Sequence, residues 1–189
     1  MARHLILVAI FISSAFPAGA GTLEELMSRL AGVEDRQARF VEKRTLGILD
    51  ETLITEGTLS YQAPDQLIRQ DLWPEAAMYE IEGNSLTIVT DGGERQVALD
   101  QEPMLAAMVT PFRAIFAGDL AGLSDDFDPD FKEQGKGWMI TLQPKSSSPS
   151  RHVIDRIEIT GKDLFVSGID VIEQGGDLSS MRLSAPASP

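Results

Sequence analysis

The sequence predicts one mostly β domain of the α+β class, built from a single strongly curled antiparallel sheet with short helices on its concave face. Segments in which apolar and polar residues alternate recur along most of the chain, and turns rich in Gly, Pro, Asn and Asp separate them. They amount to about ten or eleven strands, and an open sheet of that size curls because every strand twists. Apolar helical patterns occur at only two places, so these helices are the candidates to fill or cover the concave face.

The first 20 residues predict a secretory signal peptide that is not part of the fold. A short basic start precedes the apolar run Leu5–Ala15, and Ala18-Gly19-Ala20 forms a small-residue cleavage site. We expect cleavage near Ala20, which leaves residues 21–189 as a single domain. An uncleaved anchor is the alternative, but the run is short for a membrane span and the cleavage site is well formed.

The chain contains no cysteine and carries a formal net charge of −13. Without a cysteine after the cleavage site, the product cannot carry the lipid of a bacterial lipoprotein, and an exported domain without disulfides suits the bacterial periplasm. The acidic balance makes nucleic acid a poor partner and an anionic membrane a poor permanent location. These features are compatible with a protein that stays dissolved while it carries something insoluble.

The predicted elements follow one another from residue 22. A capping box at Thr22 and Glu25 opens a helix whose apolar face includes Leu26 and Leu30, and Gly32 ends it. Strands are predicted from Arg36 onwards and at Glu51–Tyr61, Gln66–Trp73, Ala76–Glu82, Ser85–Thr90, Glu94–Leu99, Phe127–Glu133, Trp138–Gln143, Val153–Thr160, Leu164–Ile172 and Leu178–Leu183.

The stretch Pro103–Asp119 interrupts the strands with apolar residues at helical intervals. Thr110 can cap a new helix in which Pro111 takes the first position, and Gly118 stands where a helix usually ends. The stretch therefore predicts two short apolar helical pieces with a bend between them. By composition alone, such a stripe of Met and Phe is more often ordinary core. Its apolar character nearly all round and its adaptable methionines favour contact with a flexible ligand.

Motifs for catalysis or metal binding are poorly represented. His152 is the sole histidine after the signal peptide, and nothing marks partners for a Ser–His–Asp site. Ser146–Ser148 lie in a polar loop without a nearby base. Acids alternate in Ser124–Asp130 as in a calcium loop, but the glycine at the sixth position and the distal glutamate are missing, which favours an acidic surface turn. We expect no enzymatic activity, no cofactor and no metal.

Several short motifs occur in a characteristic order: Phe40-Val41-Glu42-Lys43-Arg44, then Glu56–Pro64 (EGTLSYQAP), then Thr110-Pro111-Phe112 with Gly118-Asp119, and Leu142-Gln143-Pro144-Lys145. This order resembles the LolA family of periplasmic carriers of outer-membrane lipoproteins, and the motifs are most similar to its LolA-related branch. The resemblance covers nearly all of the mature chain. It implies an unclosed antiparallel half-barrel whose concave apolar face binds acyl chains, with helices that act as plug and lid.

The function that the resemblance implies is transport. A soluble, monomeric periplasmic carrier would take the acyl chains of a lipoprotein or another lipid from an inner-membrane exporter to an outer-membrane acceptor. The alternative is a module of the same fold that senses lipid or envelope stress, or acts as a chaperone, without transport. We expect Pro111 to be the hinge of the lid. The expected lipid-binding residues are Phe40, Leu59, Met78, Leu86, Ile88, Met104, Met108, Phe112, Ile115, Phe116, Trp138 and Ile140.

One position departs from the family pattern. The founding members have an arginine before the turn proline, and this arginine bonds to the lid; here Ala63 occupies that place. Arg69 and Arg113 are the two candidates for a substitute, and the sequence does not choose between them.

Overall fold

The computed structural model describes residues 21–47 and 51–186. The predicted signal peptide lies outside the described residues. The helices are α1 (Leu23–Ala31), α2 (Pro103–Ala117) and α3 (Leu120–Asp126). The strands are β1 (Asp35–Leu46), β2 (Glu51–Gln62), β3 (Gln66–Trp73), β4 (Ala77–Glu82), β5 (Ser85–Thr90), β6 (Gly93–Ala98), β7 (Phe127–Gln134), β8 (Gly137–Pro144), β9 (Ile154–Lys162), β10 (Phe165–Glu173) and β11 (Leu178–Ser184).

All these strands belong to one antiparallel sheet in the order β6-β5-β4-β3-β2-β1-β11-β10-β9-β8-β7. The first and last strands meet at its centre, where Phe40 of β1 lies opposite Leu183 of β11. β6 and β7 form the two edges and do not pair within the described part of the chain, so the curled sheet remains unclosed. The predicted fold class and strand count are confirmed.

The segment between the two edge strands contains most of the helical residues. After β6, a 3-10 turn at Leu99–Gln101 leads into α2, then into α3 and β7. Because β6 and β7 lie at opposite edges, this segment has to cross the mouth of the half-barrel. The core forms between these helices, α1 and the inner face of the sheet. No helix in residues 21–47 and 51–186 is long and apolar enough to cross a membrane.

α1 begins as the sequence predicts. The side chain of Thr22 accepts a hydrogen bond from the backbone N–H of Glu25, and the Glu25 carboxylate accepts one from the N–H of Thr22. Leu26, Met27 and Leu30 are buried on the face that packs into the half-barrel. The helix therefore fills one end of the concave space, as a plug would.

The insert forms one helix where the sequence predicted two. α2 runs unbroken from Pro103 to Ala117 with Pro111 inside it, so the predicted N-cap at Thr110 is wrong. Pro111 has no N–H to donate to the carbonyl of Ala107, which removes one helical hydrogen bond. Both residues are buried, and the packing of this face keeps the chain helical across the proline.

α2 ends at Gly118, as predicted, in the left-handed conformation with φ of 67°. A Cβ atom at this position would lie 2.3 Å from backbone atoms of Met27 and Ala31. Only glycine therefore allows the end of α2 to approach α1 this closely. Asp119 then caps α3 by accepting a hydrogen bond from the N–H of Gly122.

Candidate functional site

The inner face of the sheet consists of the alternate residues that face the helices. Ala38 and Phe40 of β1 belong to it, and they lie opposite Leu59 and Gly57 of β2. The same alternation continues towards both edges of the sheet. The strands on the two sides of the central β2, β1 and β11 differ in how completely the helices cover this face. We call β7–β10 the covered half and β3–β6 the open half.

The covered half is tightly packed core. Ile140 and Leu142 of β8 lie opposite Ile159 and Ile157 of β9, and all four side chains are 0% exposed. In this conformation neither water nor a ligand can contact these four side chains. An acyl chain could reach these side chains only after a helix had moved away.

In the open half, the buried apolar side chains of the inner face form a single row. That row consists of Leu67, Ile81, Leu86 and Val97, which lie opposite one another on four strands. In the next row, Tyr79 and Ile88 are half-buried and pack against the core from its margin. This second row is apolar surface that the helices leave partly accessible.

α2 presents apolar side chains in three degrees of burial. Ile115 and Phe116 near its end are buried, whereas Met108 and Phe112 are half-buried. Met104 at its start is 44% exposed. The helix is thus anchored at its C-terminal end and presents accessible apolar surface towards its N-terminal end.

All the predicted sheet residues except Met78 lie on the inner face. Met78 lies opposite Val89, whereas its neighbour Tyr79 lies opposite Ile88, which packs against the core. Alternation therefore places Met78 on the outer face, and this prediction is wrong by one residue of register. The residues found on the inner face are Phe40, Leu59, Leu86, Ile88, Trp138 and Ile140.

Phe40 lies in a stack that joins three strands. A Cβ atom on Gly57 would come within 2.8 Å of the Phe40 ring, so glycine makes room for the ring to lie against β2. The guanidinium of Arg69 lies over the same ring, 4.6 Å from its centre. Phe40 is therefore buried beneath Arg69 and reaches a ligand only if Arg69 moves.

Arg69 is held between two carboxylates on the inner face. Its Nη2 lies 2.6 Å from Oε2 of Glu42, and its Nε donates to Oδ1 of Asp71 at 2.7 Å. Burial by itself would lower the pKa of Arg69, but the two carboxylates outweigh that effect and raise it. Within the described residues Arg69 bonds to no helix, so it does not replace the missing lid arginine.

Arg36, which the sequence reasoning missed, makes the contacts that a lid arginine requires. Its Nη2 donates to the carbonyl of Leu30 near the end of α1, and its Nη1 donates to the carbonyl of Phe116 near the end of α2. Both carbonyls lie at the negative ends of their helices, where a cation is favourable. One side chain on β1 thus ties both helices to the sheet.

The position of Arg36 carries a desolvation cost. Its Nε is buried without a hydrogen-bond partner, and no carboxylate forms an ion pair with it in the part of the chain that the structure describes. Burial lowers the pKa of Arg36, while the nearby Tyr61, whose ring centre is 5.9 Å away, acts weakly in the opposite direction. Arg36 is partly buried, so its charge loses hydration that no carboxylate replaces, and its two bonds to carbonyls have to offset that loss.

Arg36 lies on the strand next to the one that leads to Ala63. Arg36 lies opposite Tyr61, two residues before Ala63, and the N–H of Ala63 donates to the carbonyl of Glu34 at 2.8 Å. Arg113 adds a further contact, because it donates to the carbonyl of Gly83 in the turn between β4 and β5. The sequence signal for Arg36 was a charged residue at an inward position of a predicted strand.

A cavity of about 250 Å³ lies beside Arg36. Ala38, Phe116, Val166 and Leu183 provide its apolar lining. It opens where β11 ends, since the pairing of β11 with β1 stops at Arg39. Its volume is below the roughly 300–1,000 Å³ of most small-molecule pockets. A second, more open cavity of about 360 Å³ also borders Arg36, and polar residues such as Gln37 and Gln62 contribute to its lining.

The remaining candidates for chemistry are placed outside the concave face. His152 is exposed in a 3-10 turn, Pro149–His152. The acidic run Ser124–Asp130 is the end of α3 and the start of β7, so the predicted surface turn is wrong. Within the described residues, no group of three or more His, Cys, Asp or Glu side chains is arranged to hold a metal ion.

Taken together, the fold and this site define an unclosed antiparallel half-barrel with an apolar inner face and a helical cover. The family described as outer membrane lipoprotein carrier protein LolA-like matches residues 15–188. The chain belongs to this family, as its sequence motifs predicted. It matches none of the curated proteins with which it was compared.

Several solved structures are similar to this chain. A LolA superfamily protein from Nitrosomonas europaea has 9% sequence identity and a TM-score of 0.48, over 90% of this chain and 96% of that one. A putative outer membrane lipoprotein-sorting protein domain from Vibrio parahaemolyticus has 7% identity and a TM-score of 0.48, over 88% of this chain and 92% of that one. The Pseudomonas aeruginosa MucA/MucB complex has 13% identity and a TM-score of 0.47, over 88% of this chain and 58% of that one.

Proposed function

We propose that the protein carries the acyl chains of a lipoprotein or another lipid through the periplasm towards the outer membrane. The chains would lie between α2 and the inner face of the open half. The observation that carries this proposal is that accessible apolar side chains occur on both of these surfaces, with Ile88 on the sheet and Phe112 on the helix. Family membership over residues 15–188 supports it.

The binding energy would be hydrophobic. Each methylene that leaves water contributes about 0.8 kcal/mol, so a few acyl chains give ample affinity without any specific bond. The cavity beside Arg36, about 250 Å³, cannot take such chains in the present conformation. Loading therefore requires α2 to move away from the sheet and to return over the bound chains.

The latch for this movement would be Arg36. Opening α2 breaks the bond from Arg36 to the carbonyl of Phe116, and Arg113 would release Gly83. Because Arg36 has no acid partner among the described residues, the closed state keeps a partly buried charge that only backbone carbonyls compensate. That cost keeps closed and open conformations close in free energy, which a carrier needs if it is both to load and to release.

Pro111 remains our proposed hinge, in a modified sense. It does not separate two helices, but it removes the hydrogen bond that would otherwise join it to Ala107 within α2. The segment before Pro111 can then tilt while the buried segment around Ile115 stays anchored.

We also propose that the chain is exported, that its signal peptide is cleaved near Ala20, and that an exporter loads it and an outer-membrane acceptor unloads it.

The proposal is tested with the fluorescent fatty acid 11-(dansylamino)undecanoic acid and the mature chain. We expect saturable binding, and we expect Phe112→Asp to abolish it because a carboxylate on α2 would have to be desolvated against the acyl chain. Leu72→Asp is the control, since Leu72 on β3 is 59% exposed and follows the inner residue Asp71, so alternation places it on the outer face. Far-UV circular dichroism checks that both variants keep the sheet.

Unchanged binding by Phe112→Asp would exclude α2 from the site. If the unmodified protein bound no probe and came from periplasmic extracts without lipid in native mass spectrometry, the carrier function would be wrong. The sensing or chaperone module would then be the better interpretation of the same fold.

A further inference from the structure

The inner face carries a group of three charged side chains, Glu42 on β1 and Arg69 and Asp71 on β3, which the apolar carrier function leaves unused. They bond to one another, with Arg69 between the two carboxylates at 2.6 Å and 2.7 Å. Ser179 donates a further hydrogen bond to Glu42. We call these three residues the charged cluster.

The charged cluster lies on the surface that the acyl chains would occupy. Arg69 lies opposite Leu59 on one side and Tyr79 on the other, both of them inner residues. Its side chain is 26% exposed, so water reaches it inside the concave space. Glu42 is six residues along β1 from Arg36, or about 20 Å in an extended strand, which places the cluster well away from the latch.

Two polar atoms of the charged cluster are free to form further hydrogen bonds. Nη1 of Arg69 and the second carboxylate oxygen of Asp71 have no hydrogen-bond partner in the part of the chain that the structure describes, and neither is shut off from water. The hydroxyl-bearing residues Thr55 and Tyr79 lie opposite Glu42 and Arg69 on the neighbouring strands. The cluster thus offers donors and acceptors side by side.

The charges decide which ligand such a group accepts. Within the cluster two carboxylates face one guanidinium, which leaves one negative charge in excess, so a phosphate or carboxylate in contact with it would be repelled. Arg95 on β6 lies on the same face, but Tyr79 and Ile88 separate it from Arg69. An ammonium group would satisfy the acceptors but would face the free N–H groups of Arg69. A hydroxyl both donates and accepts, so neighbouring hydroxyls can use the oxygen of Asp71 and the Nη1 of Arg69 together.

We propose that the charged cluster binds the headgroup of the cargo, and that this headgroup is neutral and polyhydroxylated, as in a glycolipid. The inference rests on the proposed acyl-carrier function, whose chain-binding surface it extends. The acyl chains would lie against Ile88 and Phe112, while the headgroup would contact Asp71 and Arg69. Bonds to charged partners in a partly buried site discriminate more strongly between headgroups than the same bonds in water.

The test measures, by titration calorimetry below the critical micelle concentration, the binding of three amphiphiles with the same chain. These are dodecyl maltoside, dodecyl phosphate and dodecyltrimethylammonium, and maltose alone shows whether the headgroup binds without the chain. We expect the maltoside to bind at least about tenfold more tightly than the other two, and maltose to bind far more weakly than the maltoside.

Asp71→Asn supplies the decisive comparison, because it removes one carboxylate and keeps the volume. We expect it to weaken maltoside binding about tenfold and to leave dodecyl phosphate equal or tighter. Asp170→Asn is the matched control, since Asp170 is paired with Arg182 on the outer face. Arg69→Met with Glu42→Gln and Asp71→Asn removes all three charges; it should fold, since replacing a buried charged group as a whole is often tolerated, and should rank the headgroups equally.

Two results would overturn the inference in different ways. If the unmodified protein bound all three amphiphiles equally, or if Asp71→Asn changed them all alike, the carrier would stand and the headgroup site would be wrong. If dodecyl phosphate or dodecyltrimethylammonium bound most tightly, the assignment of a neutral, polyhydroxylated headgroup would be wrong. Should none of the three bind, the carrier function itself would be wrong, and the headgroup site with it.

Discussion

The covered half and the open half of the sheet are both antiparallel, and they differ in how completely the helices cover them. Ile159 in the covered half and Ile88 in the open half are both isoleucines on the inner face. Ile159 is 0% exposed, whereas Ile88 is half-buried at the margin of the core. The covered half therefore supplies much of the stability of the fold, and the open half keeps apolar surface accessible for a ligand.

In the proposed carrier, this division would let one apolar sheet serve both as a core and as a binding surface. If the whole inner face were packed as tightly as Ile140 and Ile157, opening the helices would unfold the protein. If no part of the inner face were tightly packed, the domain would lack the buried area that a chain without disulfides needs. In the proposed mechanism, only the open half would have to change when α2 moves.

The comparison is tested most strongly by truncating the two isoleucines. Ile159→Ala should lower the free energy of unfolding by about 2–5 kcal/mol, because it leaves a cavity in packed core. Ile88→Ala should lower it by about 1 kcal/mol or less, because the side chain is already partly in water. Urea denaturation followed by tryptophan fluorescence measures both values.

Affinity for the dansylated fatty acid should follow the opposite order. Ile88→Ala removes a contact with the acyl chain and should weaken binding about tenfold, while Ile159→Ala should leave the folded protein's affinity unchanged. Equal losses of stability in the two variants would contradict the division into a covered and an open half.

The latch gives a smaller effect on stability and a distinct effect on rates. Arg36→Gln should lower the free energy of unfolding by about 1–2 kcal/mol, because the carbonyls of Leu30 and Phe116 lose their charged donor while a costly buried cation is removed. Exchange of bound fatty acid should become about tenfold faster, since less holds α2 closed. Stopped-flow displacement measures that rate.

Arg39→Gln is the control for the latch, because Arg39 lies on the same strand with its side chain exposed. An exchange rate that Arg36→Gln leaves unchanged would mean that the bonds from Arg36 to the two helices do not limit opening.

The sequence predicted the strands well because their signals are local. Gln66–Trp73 and Ser85–Thr90 have the predicted bounds, since turn residues flank each run and fix where it ends. Met78 was placed on the wrong face because apolar residues occur on both faces of β4 and β5, so alternation there does not specify the register.

Two other features depended on contacts between distant parts of the chain. Thr110 and Pro111 carry a good local signal for a helix start, but the burial of Pro111 and Ala107 outweighs it. The contacts of Arg36 could not be predicted because this side chain reaches Leu30 and Phe116 only through the pairing of β1 with β2 and the crossing of α2. Which residues line the cavity depends in the same way on the curl of the sheet.

The most direct test of the central claim is photo-cross-linking of the mature chain with a palmitic acid that carries a diazirine in its chain, followed by peptide mass spectrometry. The account predicts adducts on β4, β5 and α2, at residues such as Tyr79, Ile88 and Phe112, and their loss when unlabelled palmitate competes. Adducts confined to the outer face of the sheet, or to the packed inner residues Ile140 and Ile159, would contradict it.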